Sequence, residues 1–176
     1  MNRSIPTTIA QYIFYFLAYS AIGAVMETLF RLVTEGELYG INGILHIPIL
    51  PIYGLGALVI IGIHNWVKKP IPLFIVATIL TSVLEFISSW IFEMLFHTKL
   101  WDYSEKHFNI DGRVSLGNSI GFGAAAVLLV YELHPFIKKY VERIPSTVIV
   151  LLAVFIICVL GTDVAISITE RLNATV

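Results

Sequence analysis

Cysteine is almost missing from the 176-residue chain: Cys158 stands alone inside an apolar run, which excludes an internal disulfide, argues against a thiolate metal centre, and reads as a small buried hydrophobe. Charge is scarce as well. Asp, Glu, Lys and Arg make up 13% of the residues against 57% hydrophobic, and the mean hydropathy of +0.86 excludes an ordinary soluble composition. Basic residues are scattered, and the net charge is -1, so no nucleic-acid partner is proposed. The apolar segments lack period-two alternation, which disfavours a closed barrel. Walker A, dinucleotide-fingerprint, G-x-S-x-G and H-E-x-x-H patterns are all absent, so these residues carry no ATPase of their own.

Long apolar runs are what the chain does have, and a helical bilayer crossing takes about 20 residues. Five stretches qualify, roughly 8–33, 50–66, 71–97, 114–134 and 147–169. They predict an all-α, polytopic transmembrane helical bundle forming a single integral membrane domain over 1–176. The second stretch is short, contains Gly54, Gly56 and Gly62, and follows "HIPILP", where Pro48 and Pro51 oppose a regular helix. A broken or re-entrant segment is expected there. The first run holds Glu27 and is too long for a cleaved signal core, so it is read as a retained span.

Lys68, Lys69, Lys138, Lys139 and Arg143 lie in the connectors "KKPIP" and "HPFIKKYVERIP", which also hold proline breakers. By contrast "TEGELYGINGILHIPIL" has two Glu and no Lys or Arg. The positive-inside rule therefore places the N-terminus in the cytoplasm and the C-terminus and residues 98–113 outside the cell membrane.

That orientation gathers the ionisable groups near span ends that face outward: Glu27 and Arg31, Glu93 and His97, Arg113 and Asn118, and Asp163. Only Glu85 lies near mid-depth. Ser82, Glu85, Ser89, Glu93 and His97 recur every three or four residues and so share one helix face. Tyr15, Tyr19, Gly23, Glu27 and Arg31 form a similar row, with Glu27 and Arg31 as an i, i+4 pair. Such groups either lock helices together as ion pairs or line a functional cavity. A mid-membrane carboxylate costs about 3 kcal/mol, which tips Glu85 toward function. Asp163 has no basic residue within a helical turn. "LGNSIGFGAAA" is rich in small residues that allow close helix approach, while Tyr53 and His46 read as interfacial and solvated.

"PIYGLGAL", followed by "EFISSWIFEMLFHTKLWDYSEKHFNIDGRVSLGNSIGFG", resembles the CmpB-like ABC-transporter type IV family of membrane proteins. Glu27, Pro51, Tyr53, Gly54, Glu85, Glu93, Trp101, Asp102, Tyr103, Ser104, Asn109, Gly112 and Arg113 carry the resemblance. The chain departs from the family pattern at Asn42, where an Arg is expected, and at Leu50, where a Cys is expected. The resemblance implies a multi-pass protein engaged in transport.

Two functions follow. In the first, an acidic cavity open to the extracytoplasmic side serves a permease-like transporter, or transporter subunit, for a small solute or lipid. Glu27, Glu85, Glu93, Trp101, Asp102, Tyr103, Asn109, Arg113, Asn118 and Asp163 would be its substrate-binding residues. So small a chain would work as a homo-oligomer or with a separate ATPase subunit. The alternative is an intramembrane enzyme acting on a lipid at the outer leaflet. There Glu85 or Glu93 is the base, Asp102 its partner, and Arg113 the binder of a phosphate or carboxylate. The same carboxylates suit a hard cation as cofactor. A third reading makes the polar cluster purely structural.

Overall fold

The computed structural model describes residues 4–36 and 45–174. In chain order these form α1 (Ile5–Glu35), α2 (Pro51–His64), α3 (Pro70–Phe96), a hairpin of β1 (Asn109–Ile110) and β2 (Val114–Ser115), α4 (Leu116–Leu128), a π-helical turn (Leu129–Leu133), α5 (His134–Val141) and α6 (Ser146–Ala174). Four helical stretches are long and apolar enough to cross a bilayer: Ile5–Val33, Pro70–Phe96, Leu116–Val141 and Ser146–Asn173. The all-α transmembrane architecture is as expected. Four of the five expected stretches are of spanning length, and the second, where a broken or re-entrant segment is expected, is the short one: α2 has 14 residues and extends about 21 Å against a hydrocarbon core of about 30 Å.

Prolines mark helix starts. α1 and α3 each carry one in the first turn, where its missing N–H breaks no helical bond, and Pro51 opens α2. Pro135 behaves differently from expectation, since the fourth run does not stop before it but continues to Val141. Inside an α-helix a proline ring meets the carbonyl four residues back. Here the turn ahead of Pro135 is π-helical, with the His134 N–H donating to the Leu129 carbonyl, and this wider turn admits the ring.

The chain divides into two compact units, residues 1–58 with 136–174, and Val59–Pro135. In the first unit α1 packs along α6, with Ala10, Tyr15, Tyr19 and Ala24 buried on one and Ile149, Ala153 and Ile156 on the other. The start of α2 lies tight against α1: a Cβ on Gly54 would collide with the Ser20 hydroxyl and the Phe16 carbonyl, and the Leu50 N–H donates to the Ser20 carbonyl at 3.1 Å. In the second unit α3 packs along α4 around Ile60, Leu73, Ala77, Ala126 and Val130. The small-residue expectation holds at Gly123, whose bare backbone receives Thr78 and Phe74. Apolar side chains such as Trp90, Leu151 and Phe155 remain exposed, as lipid-facing residues should. Cys158 is among the exposed residues rather than buried; a thiol is apolar enough to face lipid.

Candidate functional site

The buried face of α3 changes character along its length. Leu73 and Ala77 occupy it near the start, Glu85 and Ser89 follow, and Phe92 and Phe96 close it. The polar part thus lies in the middle of a membrane-length helix. Glu85 is 5% exposed and Ser89 is 1% exposed. One turn earlier, the Ser82 and Ser119 hydroxyls are 2.7 Å apart, and Ser119 donates to the Ser115 carbonyl at 3.0 Å.

Arg113, reaching in from the hairpin, ties this row together. Its Nη1 donates to Ser89 Oγ at 3.2 Å, its Nη2 lies 2.5 Å from Glu93 Oε2, and its guanidinium sits 5.8 Å from the centre of the Phe86 ring. Trp101 fixes the arginine from behind by donating its indole N–H to the Arg113 carbonyl at 2.9 Å. His97, the last member of the row, is the left-handed cap of α3 at φ 53° and is exposed.

The hairpin is built by short polar residues. Asp111 and Gly112 both have positive φ, 52° and 66°, between the antiparallel pairs Asn109–Ser115 and Ile110–Val114. Asp111 and Gly112 are the centre of a tight turn that the Arg113 N–H closes on the Ile110 carbonyl at 2.9 Å, and with Arg113 they make a three-residue hairpin loop, for which Asp-Gly is a sequence signal. Asn109 braces the loop, accepting from the Gly112 N–H at 3.0 Å and donating to the carbonyls of Ser104 and Lys106. Asp102 Oδ1 accepts from the Ser104 hydroxyl and N–H, and its Oδ2 from Lys99. Those bonds, the Ser104 hydroxyl first, lower its pKa to about 2. None of its hydrogen bonds reaches Glu85, Ser89 or Glu93. Tyr103 carries the Lys106 ammonium 4.7 Å above its ring, and Lys106 also donates to Asn118 Oδ1 at 3.2 Å. Beside this pair an open groove of about 290 Å³ runs between Lys106 and His107 and the apolar Phe108, Leu116 and Ile120.

Glu27 and Asp163 belong to the first unit, each with partners of its own. Glu27 accepts from Arg31 Nε at 2.9 Å and from the Tyr53 hydroxyl at 2.6 Å. The Tyr53 ring lies over the site where Gly23 lacks a side chain, which explains the four-residue row on α1: a bare position seats the ring and the next turn receives its hydroxyl. Asp163, 8% exposed, finds its base far along the chain. Its Oδ1 accepts from the His46 N–H at 3.2 Å and lies 2.9 Å from His46 Nδ1, while Oδ2 accepts from the Ile47 N–H at 3.1 Å. His46 is therefore more than a solvated residue. Among the described residues, no three His, Cys, Asp or Glu side chains converge to hold a metal ion.

Membrane-length helices carrying buried carboxylates, serines and an arginine define a multi-pass helical membrane protein. Residues 14–168 match the family described as Putative ABC-transporter type IV, and the chain belongs to that family. No curated protein and no solved structure matches it.

Proposed function

We propose that the Val59–Pro135 unit carries the binding site of a permease-like translocator, open to the extracytoplasmic side and covered by the 97–115 hairpin. The carrying observation is Glu85, a carboxylate 5% exposed near the middle of a membrane-length helix, on the face where Ser89 receives Arg113. Keeping it there costs about 3 kcal/mol, and a polar pathway beside α3 is what that cost supports. The groove at the hairpin favours an amphiphile among the candidate cargoes: Lys106 suits an anionic head and Phe108, Leu116 and Ile120 suit an acyl chain. A second copy of the chain or a separate ATPase subunit completes such a translocator.

The enzyme alternative draws less support, because it needs Asp102 as partner to a base on α3, and the bonds of Asp102 stay with Lys99 and Ser104.

Cysteine accessibility tests the reading without knowledge of the cargo. In a Cys158→Ser background, Ser82→Cys and Ser89→Cys should react with a membrane-impermeant methanethiosulfonate applied from outside, whereas Val83→Cys and Ile87→Cys, on the lipid-exposed side, should not. Unreactive cysteines on both faces would leave a closed structural ion pair in place of a pathway. Vesicles containing the protein and a fluorescent anionic phospholipid then address cargo, with protein-dependent exchange between leaflets expected and its loss expected in Glu85→Gln.

A further inference from the structure

Residues 45–50, which lead into α2, are held against α6 by the His46 imidazole, placed between two carboxylates, and by the His46 and Ile47 N–H groups that Asp163 accepts. His46 Nδ1 lies 2.9 Å from Asp163 Oδ1 and 3.0 Å from Ser167 Oγ, and its Nε2 lies 3.0 Å from Glu170 Oε2. These residues are 117 and 121 positions from His46 for Asp163 and Ser167, so the cluster is tertiary and not an accident of local sequence. Both ring nitrogens face a carboxylate oxygen, so an imidazolium donates to both, whereas a neutral imidazole, with one N–H, donates to one of them and can accept at Nδ1 only from the Ser167 hydroxyl. The acceptors differ in setting: Asp163 is 9% exposed in its side chain and Glu170 62%. Because they sit on opposite nitrogens of one ring, they cannot close on a metal ion together.

We propose that His46 is a proton-binding site that latches residues 45–50 onto α6, closed while the imidazole is charged and loosened when it is neutral. Asp163 and Glu170 are the charged groups that act on His46 among the described residues, the hydrogen bond from Asp163 first and the charge of Glu170 second, and both raise its pKa. The sign follows. A group whose folded pKa is raised contributes fully below its unfolded value of about 6.5, and its contribution is lost as pH rises through the folded value. Loss of the proton leaves the ring a single N–H, so it holds Asp163 or Glu170 but not both, while the His46 and Ile47 backbone N–H groups stay with Asp163 in either tautomer. The segment leads directly into α2, whose Tyr53 holds Glu27, so the proton governs how firmly that helix start is tied to α6. This inference is independent of the proposed translocation pathway.

The test uses the whole protein in lipid nanodiscs. Ring-labelled histidine NMR, with the His46 signal assigned by its disappearance in His46→Gln, should give a midpoint above 6.5 that falls in Glu170→Gln and falls further in Asp163→Asn. Hydrogen exchange of residues 45–50, corrected for intrinsic rate, should lose protection as pH rises, by about tenfold for each unit by which the midpoint exceeds 6.5, while α3 stays unchanged. The same segment should be insensitive to pH in His46→Gln. A His46 midpoint at or below 6.5, or protection of residues 45–50 that is constant between pH 5 and 9 in the native chain, would overturn the proposal. Glu170→Gln, at an exposed position, keeps the test valid should Asp163→Asn fail to fold.

Discussion

Gly112 is the residue on which the hairpin turns. Its φ of 66° lies in the left-handed region, which costs an L-residue about 1–2 kcal/mol, and a Cβ there would run into Asp102 Oδ1 and Ser104 Oγ. Gly112→Ala should therefore destabilise the hairpin by at least about 1–2 kcal/mol, seen as faster proteolysis between residues 99 and 115 with the helices intact. Asp102 gives the same loop a pH dependence. Its pKa is lowered from 3.8 to about 2, so its contribution is present above the ordinary value and disappears as pH falls toward 2. The rate of pepsin cleavage of the loop in the native chain, divided by the rate in Asp102→Asn to cancel the protease's own pH dependence, should rise over that interval. Arg113 presents a fork, one arm to Ser89 and one to Glu93, that a lysine cannot reproduce. With Glu93 35% exposed in its side chain, Arg113→Lys should lower stability by about 1–2 kcal/mol, read from thermal unfolding.

At the scale of elements, the apolar runs were legible because a bilayer imposes both length and composition on any helix that crosses it. Four of the five expected runs are membrane-length helices. The polar face of α3 was equally legible, since i, i+3 and i+4 spacing is a local property. What could not be read were geometries set by the neighbours of a residue in space. Pro135 marks a stop by every local rule, yet a π-helical turn carries the helix past it. Sequence alone makes Tyr53 an interfacial aromatic, whereas its role depends on a bare Gly23 and an acidic Glu27 one turn apart on another helix. That contact has a measurable consequence. Tyr53→Phe removes a hydrogen bond to a charged group and should cost about 2 kcal/mol, while in a Glu27→Gln background the same change should cost less, a coupling that thermal unfolding of the four variants resolves.

At the scale of the whole molecule, the closing contacts span long stretches of chain: Arg113 meets Ser89 across 24 positions and His46 meets Asp163 across 117. Periodicity within one run carries no information about such pairs, which is why Asp163 looked unpartnered in the sequence. Sidedness is the global property still carried by sequence alone. Lys68 and Lys69 precede α3, and the helix that follows the hairpin ends among Lys138, Lys139 and Arg143, and by the positive-inside rule we propose that the hairpin lies on the outer side. The rule counts Lys and Arg near span ends, and Lys99, Lys106 and Arg113 in the hairpin weigh the other way. In a Cys158→Ser background, a cysteine replacing Ser104 should be labelled by an impermeant maleimide on intact cells, and one replacing Lys69 only after permeabilisation. The reverse pattern would turn the hairpin and its groove to the cytoplasm and put the cargo on that side.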